Sequence, residues 1–194
     1  LFRSIDVERR LIYAGTGDNY SNPPSETSDS IVAFDLDTGD LKWQFQGLGG
    51  DAWNIGCMSE PKVNCPEGEG PDQDMGASPI LATRANGTTV LIGAQKTGVA
   101  HALNPGQRGE VLWQKKLAKG GAQGGLQWGQ ATDGQVLYAS RSDVDWLSEE
   151  VVVADVVLDP NAGGGLLAVD LDSGEILWEA PPVDCSGRAR CSPA

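Results

Sequence analysis

The sequence predicts an all-β fold of stacked four-stranded sheets. Three observations carry that expectation: one hairpin motif recurs, strand-like apolar runs lie between its copies, and no window sustains a helical period. The first copy runs Ala33-Phe34-Asp35-Leu36-Asp37-Thr38-Gly39-Asp40-Leu41-Lys42-Trp43. A second, from Ala168 through Asp170 and Gly174 to Trp178, keeps the same register. A looser copy spans Ala102 to Trp113, with one extra residue before Gly109; Gly and Trp again stand four apart.

Each copy reads as strand, turn, strand. The alternating run Ser30–Phe34 ends in an Asp, and the Asp-Thr-Gly segment turns the chain, with Gly supplying positive φ. Leu41–Phe45 returns, and its Trp is expected to pack between sheets. Further runs are Arg10–Ala14, Pro79–Thr83, Val90–Gly93, Gln127–Ala131 and Gln135–Ala139, bounded by Gly, Asn and Asp. About four strands per Trp make a propeller blade. The expected order is a blade over about 1–50, a loop over 51–76, blades over about 77–118 and 126–182, and a loop over 183–194. The Trp positions are 70 and 65 residues apart, longer than a bare blade, so long loops (47–76, 118–125 and 141–165) must decorate it. Three blades cannot close a ring, and the chain opens at Leu1 and stops just after Cys191. It is therefore expected to be a partial propeller, cut from a closed ring.

Charge and cysteine content narrow the class. With 27 acidic and 14 basic residues the net charge is -13, which offers no basic footprint for nucleic acid. No apolar run reaches the length of a membrane span. The four cysteines form two local pairs, Cys57 with Cys65 and Cys185 with Cys191. Their spacing suits disulfides better than zinc, each worth about 2–3 kcal/mol, and implies an oxidising compartment. No Cys-x-x-Cys-His segment provides for a c-type haem.

The hairpin Ala-x-Asp-x-x-Thr-Gly-x-x-x-Trp resembles the repeat of the pyrroloquinoline quinone (PQQ) dehydrogenase propellers. Three loops add to the resemblance: Gly15-Thr16-Gly17-Asp18-Asn19, Gly50-Asp51-Ala52-Trp53-Asn54, and Gln95-Lys96-Thr97-Gly98. Asn64-Cys65-Pro66, Gly76-Ala77-Ser78-Pro79-Ile80, the run Trp128 to Asp133 and the final cysteine loop are similar to the polyvinyl alcohol dehydrogenases within that group. The resemblance implies a full ring of about eight blades, and oxidation of secondary or polymeric alcohols with PQQ and calcium. It also implies a periplasmic or otherwise exported location and a cytochrome c electron acceptor.

The resemblance further implies roles. Asp51 corresponds to the general base, which in some relatives also touches calcium. Asp18 or Asn19 supplies a calcium ligand, and Lys96 contacts the quinone. Trp128 offers a flat face that could line the cofactor cavity. Read without the resemblance, Asp51 caps a turn, Asp18 and Asn19 are turn residues, Lys96 is a solvated tip, and Trp128 is packing. His101 reads as structural, and the acidic run from Asp143 to Glu150 as a solvated loop. Asp18 stands where many relatives have Asn, and Asn54 where alcohol dehydrogenases have a second Asp. The rival to an enzyme is a non-catalytic propeller, a scaffold or sensor ectodomain, which has no use for a base, a metal ligand and a cation on successive loops. Taken alone, the 194 residues are expected to show little or no turnover.

Overall fold

The computed structural model describes residues 3–144, 162–181 and 183–188. They form three four-stranded antiparallel sheets, each a meander in chain order. The first holds β1 (Arg3–Asp6), β2 (Leu11–Gly15), β3 (Ser30–Asp35) and β4 (Leu41–Gln46). The second holds β5 (Ile80–Thr83), β6 (Thr89–Ala94), β7 (Val99–Asn104) and β8 (Glu110–Lys116). The third holds β9 (Gln130–Thr132), β10 (Val136–Ser142), β11 (Gly164–Asp170) and β12 (Ile176–Glu179). These are three blades of a β-propeller. The first strands of successive blades touch, β1 against β5 and β5 against β9.

The repeated motif has a structural cause at each position. In every blade the motif Ala lies directly across the hairpin from the motif Trp: Ala33 opposite Trp43, Ala102 opposite Trp113, Ala168 opposite Trp178. The small side chain sits beside the large one, and the ladder shifts register immediately afterwards in all three. The motif Asp organises the turn, since Asp35 Oδ1 accepts the N–H groups of Asp37 and Thr38, and Asp170 Oδ1 those of Asp172 and Ser173.

The motif Gly joins one blade to the next. Gly109 and Gly174 have φ of 78° and 73°. A Cβ at Gly109 would stand 2.6 Å from the Trp43 ring of the preceding blade, and one at Gly174 2.8 Å from the Trp113 ring. Trp43 and Trp113 thus pack against the following blade's turn, while Trp178, the last motif Trp, is 47% exposed. Trp113 also donates from Nε1 to the Leu171 carbonyl at 3.0 Å. The extra residue in the middle turn forms a short 3-10 helix, Pro105–Gln107, and there the buried Trp43 Nε1 finds no acceptor among the described residues.

Stacking also explains the strand patterns. β6 is buried on both faces: Val90 and Ile92 join the core shared with the third blade, and Leu91 the core shared with the first. The run Gln127–Ala131 becomes strand only from Gln130, leaving Trp128 70% exposed. No helix among the described residues is long and apolar enough to cross a membrane.

Candidate functional site

The loop between β4 and β5 carries most of the polar chemistry. It is fastened at its start by a parallel bridge between Asn19 and Ala52, with Asn19 N–H donating to the Asp51 carbonyl at 3.2 Å and Trp53 N–H to the Asn19 carbonyl at 2.7 Å. A disulfide joins Cys57 to Cys65. Asn54 donates to the carbonyls of Tyr20 and Asn64, holding both ends of the small loop. Cys185 is also disulfide-bonded, while Cys191 lies outside the described residues.

Asp51 is 1% exposed. Its carboxylate accepts the N–H of Gln73 at 2.8 Å and that of Asp72 at 3.3 Å. Gly70 must be glycine for this to happen, since a Cβ there would stand 2.1 Å from Asp51 Oδ1. The returning chain therefore lies directly on Asp51, and delivers Asp72 and Asp74 beside it.

Those two residues were not singled out from the sequence. Their spacing (i and i+2 in an extended segment) was the available signal, because it puts both side chains on one side. Asp18, Asp72 and Asp74 bring carboxylate oxygens within 4.8 Å of one another. Asp74 Oδ1 accepts the Asp18 N–H at 2.9 Å, and Asp18 Oδ2 accepts the Trp53 N–H at 3.0 Å. Lys96 bridges Asp72 and Asp74, with Nζ 2.7 Å and 2.6 Å from their oxygens. Asn19 points elsewhere: its Oδ1 accepts the Ser25 N–H at 2.6 Å.

A third unanticipated residue is Asp29, fully buried, with neither carboxylate oxygen partnered among the described residues. Burial, and then the neighbouring charges of Asp51, Asp74 and Asp18, push its carboxyl up to about 8. Burial likewise raises Asp18, to about 7, reinforced by its contact with Asp74 and by that residue's charge. Burial raises Asp72 against the pull of Lys96. At Asp74 burial is outweighed by Lys96 and the Asp18 N–H, and its carboxyl is lowered.

Three carboxylates, Asp18, Asp72 and Asp74, therefore gather beside one ammonium, which pairs with two of them. An all-oxygen donor set of this kind suits a hard cation such as calcium. Above it opens a cleft of about 580 Å³ lined by Gly17, Asp18, Asn19, Asp74, Lys96 and Gln127, among others. Lys96 is the cation among the residues lining it. Trp128 lines an adjoining cleft that shares Gly76 and Gln127 with the first. Of the acidic run beginning at Asp143, only Asp143 and Val144 are described, and Asp143 is buried, accepting the Gly120 N–H.

A hydrogen-bonded chain supports the floor from the blade core. Gln114 Nε2 contacts His101 Nδ1 at 2.8 Å, and His101 Nε2 contacts Gln95 Oε1 at 3.3 Å. Gln95 Nε2 then donates to the carbonyl of Gln73, whose N–H holds Asp51. This pattern fits a neutral ring with its proton on Nε2. Burial pushes His101 down to about 4, from 6.5 in an unfolded chain. Between those values the unfolded chain takes up a proton that the folded one refuses. The stability from a neutral His101 is complete above pH 6.5 and is lost as pH falls toward 4, by about 3 kcal/mol. Urea midpoints of full-length wild type and His101→Asn should diverge in slope across that window. Parallel pH profiles would refute the expectation.

No family model matches the chain. It is 36% identical to a polyvinylalcohol dehydrogenase of Sphingopyxis sp. (strain 113P3) over 94% of its own length and 27% of that protein's. A polyvinylalcohol dehydrogenase of Pseudomonas sp. is 32% identical, over 98% of this chain and 28% of that protein. The chain thus spans about a quarter of the length of the curated relatives it matches. Among solved structures it superposes on a europium-containing methanol dehydrogenase with a TM-score of 0.58 at 16% identity, covering 92% of this chain and 38% of that one. That likeness establishes a shared fold.

Proposed function

We propose, from the premise that this chain resembles one segment of the polyvinylalcohol dehydrogenases along nearly its whole length, that it carries the proton acceptor and cation-binding carboxylates of a PQQ- and calcium-dependent dehydrogenase of secondary or polymeric alcohols. The single observation supporting this most is the gathering of Asp18, Asp72 and Asp74 beside Lys96, over a buried Asp51, from three separate loops. When bound, calcium supplies Lewis-acid polarisation and PQQ the hydride acceptor.

The chain's own residues account for the rest. A carboxylate has about four lone-pair sites. Two on Asp51 are taken by the N–H groups of Asp72 and Gln73, which fix its orientation and leave capacity for the alcohol proton. Asp18 holds the cation, with Asp51 as its neighbour. Lys96 would hold the quinone oxygens and supply positive charge there. Trp128, exposed on the adjoining cleft, offers an apolar face on the side of Gly76 and Gln127. The disulfides favour an exported, periplasmic setting, and electrons would pass to a cytochrome c. Groups from further blades complete the site, so the 194 residues alone are expected to show little turnover.

The test is reconstitution of the full-length protein, purified free of PQQ and calcium, with dye reduction followed on secondary alcohols. Turnover that needs both additions is expected. No turnover together with no PQQ binding would overturn the dehydrogenase and favour a propeller scaffold, in which Lys96 and the carboxylates serve only to pin loops together.

A further inference from the structure

We propose that Asp72 and Asp74 are ligands of the cation alongside Asp18, and that the Lys96 ammonium is the resident that the cation displaces from them. The inference rests on the dehydrogenase reading above and extends it to residues of the loop between β4 and β5.

The first support is a charge imbalance. One ammonium is satisfied by one carboxylate, yet Lys96 bridges two, at 2.7 Å and 2.6 Å. A third, Asp18, stands within 4.8 Å of both without an ion-pair partner of its own among the described residues. Like charges held this close oppose one another, and burial adds to the cost. A second, independent observation is Asp29. Its carboxylate is fully buried, unpartnered at both oxygens among the described residues, and close enough for Asp51, Asp74 and Asp18 to act on it. Lys96 does not serve it. A buried acid left open against three others is a place built for more positive charge than one lysine brings.

The exchange has a functional logic. Lys96 lines the cleft, so an ammonium released from Asp72 and Asp74 remains beside the space in which an anionic cofactor would lie. Cation binding and the availability of Lys96 to that cofactor are then coupled. A calcium ion takes over the carboxylates, and the lysine turns from counterion to cofactor contact.

Calorimetric calcium titration of the full-length, PQQ-free and chelator-stripped protein tests this. Asp72→Asn and Asp74→Asn should each weaken calcium binding about tenfold or more, while Lys96→Met, lacking the competitor, should bind about tenfold more tightly. Thermal midpoints guard against simple misfolding. Lys96→Met should melt lower than wild type without calcium and recover with it. Wild-type affinity in both Asn variants, or no tightening in Lys96→Met, overturns the proposal. If that happens while PQQ and calcium still support turnover, the dehydrogenase reading survives alone. If the affinities shift as expected but PQQ supports no turnover, the ligand set survives and the dehydrogenase reading fails.

Discussion

Asp51→Asn in the full-length protein is expected to lower alcohol-dependent dye reduction by about 10²–10⁴-fold, the usual contribution of a positioned general base. The substitution removes the proposed proton acceptor at nearly constant volume. It also has a structural consequence that can be read from the hydrogen bonds. Both Asp51 oxygens accept backbone N–H groups, from Asp72 and from Gln73. An amide places its NH2 against one of those donors, so the segment carrying Asp72 and Asp74 must shift. Two measurements separate the effects. If the loss is chemical, kcat falls while calcium affinity changes little. If the loop has moved, calcium binding weakens in step with activity. Retention of wild-type kcat would remove Asp51 from the mechanism altogether.

The second large effect is on stability. Trp113→Ala is expected to cost about 3–5 kcal/mol, in the range for a buried Trp truncated to Ala. Trp113 is 8% exposed, sits in the core shared by the second and third blades, and lies on Gly174. Its Nε1 also donates to Leu171, whose carbonyl would lose that partner. The control is Leu112→Ala, next in the strand and 39% exposed, which should cost under about 1 kcal/mol. Urea unfolding of the full-length variants checks both. Equal midpoints would mean that blade stacking does not depend on this docking contact.

Much of the fold was legible because it is local. The hairpin motif states its own geometry: Ala opposite Trp, Asp closing the turn, Gly at positive φ. The double burial of β6 and the late start of β9 were less so. Whether Val90, Leu91 and Ile92 face one core or two depends on what stacks against each side of the sheet.

The site divides in the same way. Asp18, Asp51 and Lys96 stand out in the sequence because each sits in a short loop that resembles a motif of the PQQ dehydrogenase propellers. The structure brings those three loops together, aims Asn19 at Ser25 and leaves Trp128 exposed on the neighbouring cleft. Asp72, Asp74 and Asp29 carry no such local signature. Asp72 meets Lys96 across 24 residues and Asp74 receives the Asp18 N–H across 56, in a segment that also needs Gly70 to lie on Asp51. The sequence by itself determined the repeat, the turns and the identity of the blades, because the groups concerned are within one hairpin of each other. Only the folding back of the β4–β5 loop decided which carboxylates lie together, and only the stacking of the second blade on the first brought Lys96 to them. That depends on loops distant in the chain being pressed together, and no spacing along the sequence encodes the distance between them.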